Sequence, residues 1–358
     1  MSSAEVVLGF LEEAEPWRLR SPQFPSKVGG KPAWLSQAGL PSQSALECEM
    51  CHQPLVFLLQ VYAPIPGQER SFHRTLLLFC CKTPDCYSRN DSRCMKVFRN
   101  QLPRRNEFYP FEPPPEDEPP SGPEEDCVLS VSGIKLCWVC GCPGSKTCSR
   151  CHAVTYCVKH HQTLHWKHSH KRECCSPGTE ASIVTTSPLL FPESELITEP
   201  EEKQEKDAEG EDEEEGSIQK SVDCCSLSDA LAEVDLEEMA MHETEENRVF
   251  QRFKKKIAPE PHQVIRYSRG GNPLWVSSQH IPSDENIPPC TCGAKRAFEF
   301  QVMPQLLNSL CVDSTGASID WGTLVVYTCS VSCDHDDQYY PEFIWKQDFS
   351  SDQQSQDR

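Results

Sequence analysis

Gly29-Gly30-Lys31-Pro32-Ala33-Trp34 returns later in the chain as Gly270-Gly271-Asn272-Pro273-Leu274-Trp275, and this echo decides the fold. The two stretches stay in register without a gap to Pro41-Ser42 and Pro282-Ser283. Beyond them Cys48-x2-Cys51 answers to Cys290-x-Cys292, and both copies read Gln-Val nine residues past the second cysteine, at Gln60-Val61 and Gln301-Val302. Thr75 to Phe79, leading to Cys81, then parallels Thr323 to Tyr327, leading to Cys329, and each copy closes on a further cysteine, Cys86 or Cys333. A series of this length is an internal duplication. Each copy is one supersecondary unit: a Gly-Gly turn, a cysteine knuckle, two apolar strands and a second cysteine pair. The strands read as β because Val, Leu, Phe and Tyr dominate short runs bounded by Pro, Gly and Asp. The Gly-Gly pairs lack the lysine and helix of a phosphate loop and read as turns that need positive φ.

A unit of about 60 residues buries little apolar surface and leans on metal or a partner. The copies are therefore predicted to pack as a pseudo-twofold pair in one β-rich domain of the α+β class, with everything between them inserted. Loop-closure entropy grows only logarithmically with length. The insertion is thus predicted to be removable, so that a chain joining residues 1–102 to 245–358 folds.

Composition divides the remainder. Residues 1–102 and 259–349 hold the two halves of the duplicated domain. From Pro103 to Asp126 the chain carries eight prolines and few apolar residues, which marks 103–133 as a proline-rich linker. Thirteen Asp or Glu stand between Glu193 and Glu215, against Lys203 and Lys206. Residues 176–226 accordingly read as an acidic disordered loop that cannot bury enough apolar surface to fold. Residues 227–258 read as a helical segment, with Ser228-Asp229 as its cap, Leu231, Val234, Met241, Phe250, Phe253 and Ile257 as its apolar positions, and Lys254 to Lys256 favouring its C-terminal dipole. That stripe is expected to pack on its own domain, a client-binding helix being the alternative. Residues 350–358 read as a disordered tail.

The 358-residue chain has 22 cysteines and a net charge of −20. No run approaches the roughly 20 apolar residues of a membrane span, and the N-terminus lacks the basic and apolar regions of a secretory signal. Cytoplasm and nucleus, including the nucleolus, are the expected compartments. Thiols stay reduced there, so paired cysteines point to zinc. The acidic balance disfavours an embrace of a phosphate backbone, which needs Lys and Arg to displace counterions, and favours basic protein partners. No Gly-rich phosphate loop, His-Glu-x-x-His or Gly-x-Ser-x-Gly elbow is present, so the chain reads as non-enzymatic.

Residues 134–175 carry the densest chemistry: Cys137-x2-Cys140, Cys148-x2-Cys151, Cys157-x3-His161 and His170-x3-Cys174, eight potential ligands within 38 residues. Zinc takes four such ligands in a tetrahedron, and two on one tight turn supply half of it at little entropic cost. His152, His160, His165 and His168 read as surface or packing residues, and Cys142 and Cys175 fall outside the pairing. No recognition-helix spacing is present, so direct nucleic-acid binding is not expected. Cys48, Cys51, Cys81 and Cys86 in one copy, and Cys290, Cys292, Cys329 and Cys333 in the other, resemble zinc ribbons with unequal knuckles, each a site for one more zinc. Two features leave buried free thiols open as the alternative: the tight Cys290-Thr291-Cys292 spacing, and Cys80 beside Cys81.

The order of pairs, with Tyr156-Cys157, His161-Gln162, His165-Trp166 and His170-Lys171, resembles the MYND finger family. That resemblance implies two interleaved zinc sites, one on Cys137, Cys140, Cys157 and His161, the other on Cys148, Cys151, His170 and Cys174. His161 stands where cysteine is commoner, and one extra residue before His170 puts His168 in play as a rival ligand. The duplicated unit, the inserted finger and the segment from Glu260-Pro261-His262-Gln263-Val264-Ile265-Arg266-Tyr267 to Trp345-Lys346-Gln347-Asp348 together resemble the programmed cell death protein 2 family. This implies a chaperone or adaptor for a basic small-subunit ribosomal protein, the universal small-subunit protein five, supporting 40S subunit biogenesis. The rival is a transcriptional or signalling adaptor, linked to apoptosis regulation, whose finger takes proline-rich peptides of transcriptional regulators. A lysine methyltransferase, suggested by MYND fingers that stand beside SET domains, has no SET-like motif here.

Overall fold

The computed structural model describes residues 5–36, 38–118, 134–174, 189–202, 245–312, 318–334 and 336–350. The apolar runs that follow each knuckle become strands buried along nearly their whole length. In the first half these are β2 (Lys27–Val28), β3 (Val56–Tyr62), β4 (His73–Cys80) and β5 (Met95–Leu102), preceded by β1 (Val7–Glu12). A small hairpin of β6 (Lys146–Thr147) and β7 (Thr155–Tyr156) and the strand β8 (Ser194–Pro200) come from the insertion. The second half supplies β9 (Ile265–Tyr267), β10 (Arg296–Val302), β11 (Thr323–Cys329) and β12 (Tyr340–Gln347). All but the small hairpin form a closed barrel in the order β1-β8-β2-β3-β4-β5-β12-β11-β10-β9. Outward from the antiparallel β5–β12 seam, where Phe98 faces Pro341, the order runs β4-β3-β2 on one side and β11-β10-β9 on the other, as a pseudo-twofold pair requires.

The repeated residues contact one another, which explains why they recur together. Gln60 is buried; its Oε1 accepts from Ala33 N at 2.9 Å and its Nε2 donates to Ala33 O at 3.3 Å. Gln301 grips the matching peptide in the other half, accepting from Leu274 N at 2.6 Å and donating to Leu274 O at 2.9 Å. A buried amide with donor and acceptor both satisfied is stabilising, whereas an unsatisfied one is costly. Both copies also carry a β-bulge at the same place, between Phe57 and Leu59 and between Phe298 and Phe300. Gly29, Gly30 and Gly270 have positive φ, as expected; Gly271 does not, but a Cβ there would lie 2.5 Å from Ser268 Oγ.

The bulge residue of the second half, Glu299, reaches Arg74 of the first. Arg74 Nη1 and Nη2 donate to its two carboxylate oxygens at 2.7 and 2.9 Å, and both side chains are fully buried. A second crossing links Arg99 Nε to Glu342 Oε1 at 2.7 Å. The bidentate Arg74–Glu299 pair fixes geometry as well as energy, and with the single Arg99–Glu342 bond it fixes how the halves dock.

Three expectations change. The acidic insertion is not wholly loop: Ser194–Pro200 forms β8, which pairs antiparallel with β1 and with β2 and so closes the barrel. Its buried Leu196 sits against Gly9, where a Cβ would lie 3.0 Å from Leu196 Cδ1, and Glu193 pairs with Lys27. The insertion is therefore not removable as a whole; joining 1–102 to 245–358 would delete a strand. The start of the proline-rich linker is also anchored, because Tyr109 is buried and its Oη donates to Leu35 O at 2.7 Å. Within the helical segment the described helix is Glu245–Ile257, and Phe250 and Phe253 pack against Val276 and Met303 of its own domain. The Ser228-Asp229 cap, most of the acidic run, Cys175 and residues 351–358 of the tail lie outside the described residues, while Ser350, placed in the disordered tail, is buried. Among the described residues no helix is long and apolar enough to cross a membrane.

Candidate metal centres

Four cysteine knuckles share one backbone device. The residue after the second cysteine has positive φ: His52 (58°), Gly141 (69°), His152 (54°) and Gly293 (87°). Its N–H donates to the carbonyl of the first cysteine, at 2.9, 2.8, 3.0 and 2.8 Å for Cys48, Cys137, Cys148 and Cys290. The left-handed residue folds the chain back so that both thiols point the same way. In Cys290-Thr291-Cys292 the same bond closes a ring one residue shorter, which is how so tight a pair converges.

Each knuckle meets a second pair. The donor atoms of Cys48, Cys51, Cys81 and Cys86 lie within 4.8 Å of one another, and so do those of Cys290, Cys292, Cys329 and Cys333. Cys51–Cys81 are 3.6 Å apart, Cys290–Cys333 3.4 Å and Cys292–Cys329 3.6 Å, sulfur to sulfur. A zinc–sulfur bond of about 2.3 Å places tetrahedral sulfurs about 3.8 Å apart, so both sets fit the ion. Cys80 takes no part; its thiol is buried elsewhere, and burial pushes its pKa up to about 12.

The finger's pairs interleave. Cys137, Cys140, Cys157 and His161 form one group, and Cys148, Cys151, His170 and Cys174 the other. Cys140 and Cys157 are 3.6 Å apart, His161 Nδ1 lies 3.2 Å from Cys157 Sγ, and His170 Nε2 lies 3.4 Å from Cys151 Sγ. The extra residue before His170 is absorbed as a π turn, Trp166–His170, between the helices α1 (Lys159–His165) and α2 (Lys171–Glu173). A π turn takes up one residue without ending the helix, and it leaves His168 exposed while His170 turns inward. His165 is a packing residue, buried with its Nδ1 at 2.9 Å from Tyr156 Oη, and burial lowers its pKa to about 4.

Sequence reasoning missed the groups around these sites. Arg99, from the first half, donates to Cys333 O at 2.9 Å and approaches its Sγ at 3.6 Å, and Glu342 accepts from Cys329 N at 3.2 Å. The finger itself docks on the first half's repeat: Trp34 Nε1 donates to Gly141 O at 2.8 Å, and Lys31 Nζ stands 5.4 Å from the Trp138 ring centre. The recurrence of Gly-Gly-x-Pro-x-Trp was the available signal for that surface.

A closed barrel of two related halves, each carrying a four-cysteine cluster, with a cross-braced finger seated on one of them, defines a zinc-binding protein of β-rich build. Residues 5–116 match the family description "Programmed cell death protein 2, N-terminal domain", residues 247–348 match its C-terminal counterpart, and residues 137–174 match the MYND finger. The chain is 50% identical over 350 residues to programmed cell death protein 2 of Bos taurus, covering 98% of both chains. It is 51% identical over 346 residues to that of Mus musculus, covering 96% of both. The chain belongs to the programmed cell death protein 2 family. A shorter similarity, 35% identity over 97 residues and 24% of each chain, connects it to the "Probable 20S rRNA accumulation protein 4" of Schizosaccharomyces pombe. No solved structure matches.

Proposed function

We propose that this chain is a non-enzymatic, zinc-braced chaperone or adaptor that holds a basic small-subunit ribosomal protein, the universal small-subunit protein five, and supports 40S subunit biogenesis between cytoplasm and nucleus, including the nucleolus. The observation that carries this reading is the similarity to a protein named for 20S rRNA accumulation. The net charge of −20 supports it, since a basic protein is attracted to and kept soluble by an acidic one. In this reading the finger's eight ligands hold two zinc ions and the two outer clusters hold one each, so the metal is structural and fixes the surface that the partner meets. Structural zinc sites are closed by four protein ligands and contribute folding energy outright.

A tagged pull-down with quantitative proteomics tests the proposal. Enrichment of one small-subunit protein over all others supports it. Enrichment instead of transcriptional regulators carrying proline-rich segments would favour the adaptor reading of the finger and overturn the ribosomal one.

A further inference from the structure

The pseudo-twofold places two equivalent outer faces on the barrel, and among the described residues the finger covers only the first, while on the second His280 stacks on Trp345 at 4.4 Å. On the first half Trp34, Leu46, Phe57, Leu77, Phe79 and Phe98 are all buried in one core that continues into Val139, Cys142 and Tyr156 of the finger. Their counterparts by repeat position and strand register are Trp275, Ile287, Phe298, Val325, Tyr327 and Trp345. These form a separate cluster, in which Trp275, Ile287 and Trp345 are only partly buried. The stacking is shared: Phe57–Phe79 centroids are 5.7 Å apart and Phe298–Tyr327 6.3 Å, both edge to face. Leu40 packs against the first core, while its counterpart Ile281 is 44% exposed. Trp34 Nε1 donates to the finger's Gly141 carbonyl; Trp275 Nε1 has no such bond among the described residues.

What fits this second face follows from how its rim differs. Lys31, which meets the finger's Trp138, is replaced by Asn272; Gln43, which accepts from the finger's Ser145 Oγ at 3.4 Å, is replaced by Asp284; and Ser44 is replaced by Glu285. Asp284 is paired with Lys295 at 3.1 Å, and Lys295 stands where the first copy has Pro54; over these four positions the face is still two units more negative than the one that holds the finger, with Glu285 as its added carboxylate outside that pair. Half-buried aromatic rings beside an exposed aliphatic side chain, rimmed by charge, are the composition of a protein-binding surface. We infer that the outer face of the second half, centred on Trp275 and Ile281, docks a turn of a basic partner protein, which presents a backbone carbonyl to Trp275 Nε1 as Gly141 does to Trp34. This rests on the chaperone reading and gives its partner a place.

The test uses the full-length chain and purified universal small-subunit protein five. Affinity is measured for the unaltered protein and for Ile281→Glu, Trp275→Phe and Val331→Glu, the last an exposed apolar residue outside the face. Thermal melting checks that each variant stays folded. The expected result is a loss of about thirtyfold for Ile281→Glu, the size of an interface hot spot. Trp275→Phe, which keeps a ring but removes the N–H, should lose about fivefold, and Val331→Glu nothing. Binding by the unaltered chain that is insensitive to Ile281→Glu and Trp275→Phe overturns the docking face and leaves the chaperone reading standing. Absence of binding by the unaltered chain overturns both. A chain that self-associates, and becomes monomeric only on Ile281→Glu, assigns the face to a second copy and overturns the inference.

Discussion

Replacing Glu299 with Gln tests whether the two halves are one cooperative body. The carboxylate accepts from Arg74 Nη1 and Nη2 at 2.7 and 2.9 Å, from Tyr267 Oη at 2.7 Å and from Thr328 Oγ1 at 2.5 Å. Glutamine keeps the shape but offers one acceptor oxygen, and its amide donors face a guanidinium that only donates. Arg74 is then a fully buried charge without its counter-ion. Breaking a buried pair from one side costs about 3–5 kcal/mol, a large part of the roughly 5–15 kcal/mol that holds a typical domain together. Urea unfolding at constant free zinc, followed by tryptophan fluorescence and by zinc release, should show that loss in a single shared transition. Adding Arg74→Met should restore part of it, because the buried charge disappears while the amide oxygen still accepts from one of the two hydroxyls of Tyr267 and Thr328 and the amide N–H can donate to the oxygen of the other. The pH dependence has a definite sign. Burial raises the Glu299 pKa, but Arg74, Thr328 and Tyr267 outweigh it and hold the group below its ordinary value of 4.5. Its stabilisation is therefore present above that value and lost as pH falls through the lower folded pKa, and Glu299→Gln should remove this acid sensitivity. A loss under about 1 kcal/mol, strictly additive single and double variants, or separate melting of the halves would refute the reasoning.

Further outcomes follow from other contacts. Native mass spectrometry should count four zinc ions, and His170→Ala should lose one of them while His168→Ala loses none; equal loss would place the register of the π turn in error. Deleting residues 203–244 with a flexible bridge should leave the barrel folded, since Glu201 pairs with Lys256 at 3.4 Å and the eleven helical steps back to Glu245 span only about 17 Å. Deleting 189–244 should unfold it by removing β8, and equal melting temperatures for the two deletions would count against closure of the barrel by that strand. Gln60→Ala and Gln301→Ala should each cost about 1–3 kcal/mol by leaving the Ala33 or Leu274 peptide groups unpaired, read by the same unfolding assay.

The duplication was legible because its contacts are residue-specific: Gln60 and Gln301 hold the peptides of Ala33 and Leu274, and only a side-chain amide serves both groups at once. The finger was legible from its spacing. Other features were hidden for physical reasons. The strand β8 buries only Leu196 well, its other six residues being half-buried or exposed, so charge counting sees a solvated run where the barrel needs only a backbone ladder and one apolar contact. The partner of Arg74 lies 225 residues away, and a lone charge inside an apolar run says nothing about where its counter-ion stands. At the knuckles, glycine at Gly141 and Gly293 signals the turn, but His52 and His152 adopt the same left-handed backbone without that signal.

The two outer clusters differ in what they depend on. The first is built wholly from its own half: Cys48 and Cys51 before β3, Cys81 just past β4, and Cys86 on the turn beyond. Around the second, Arg99 of the first half binds the Cys333 carbonyl and Glu342, and Glu342 in turn accepts the Cys329 N–H. Losing a group that orients a metal ligand typically costs about 10–100-fold in metal affinity. A metal held at the second cluster would therefore find its full geometry only when β5 and β12 are paired, which would link its binding to closure of the barrel. By reciprocity, metal held at Cys290, Cys292, Cys329 and Cys333 would strengthen the seam that joins the halves, and that seam belongs to the same sheet as the face around Trp275.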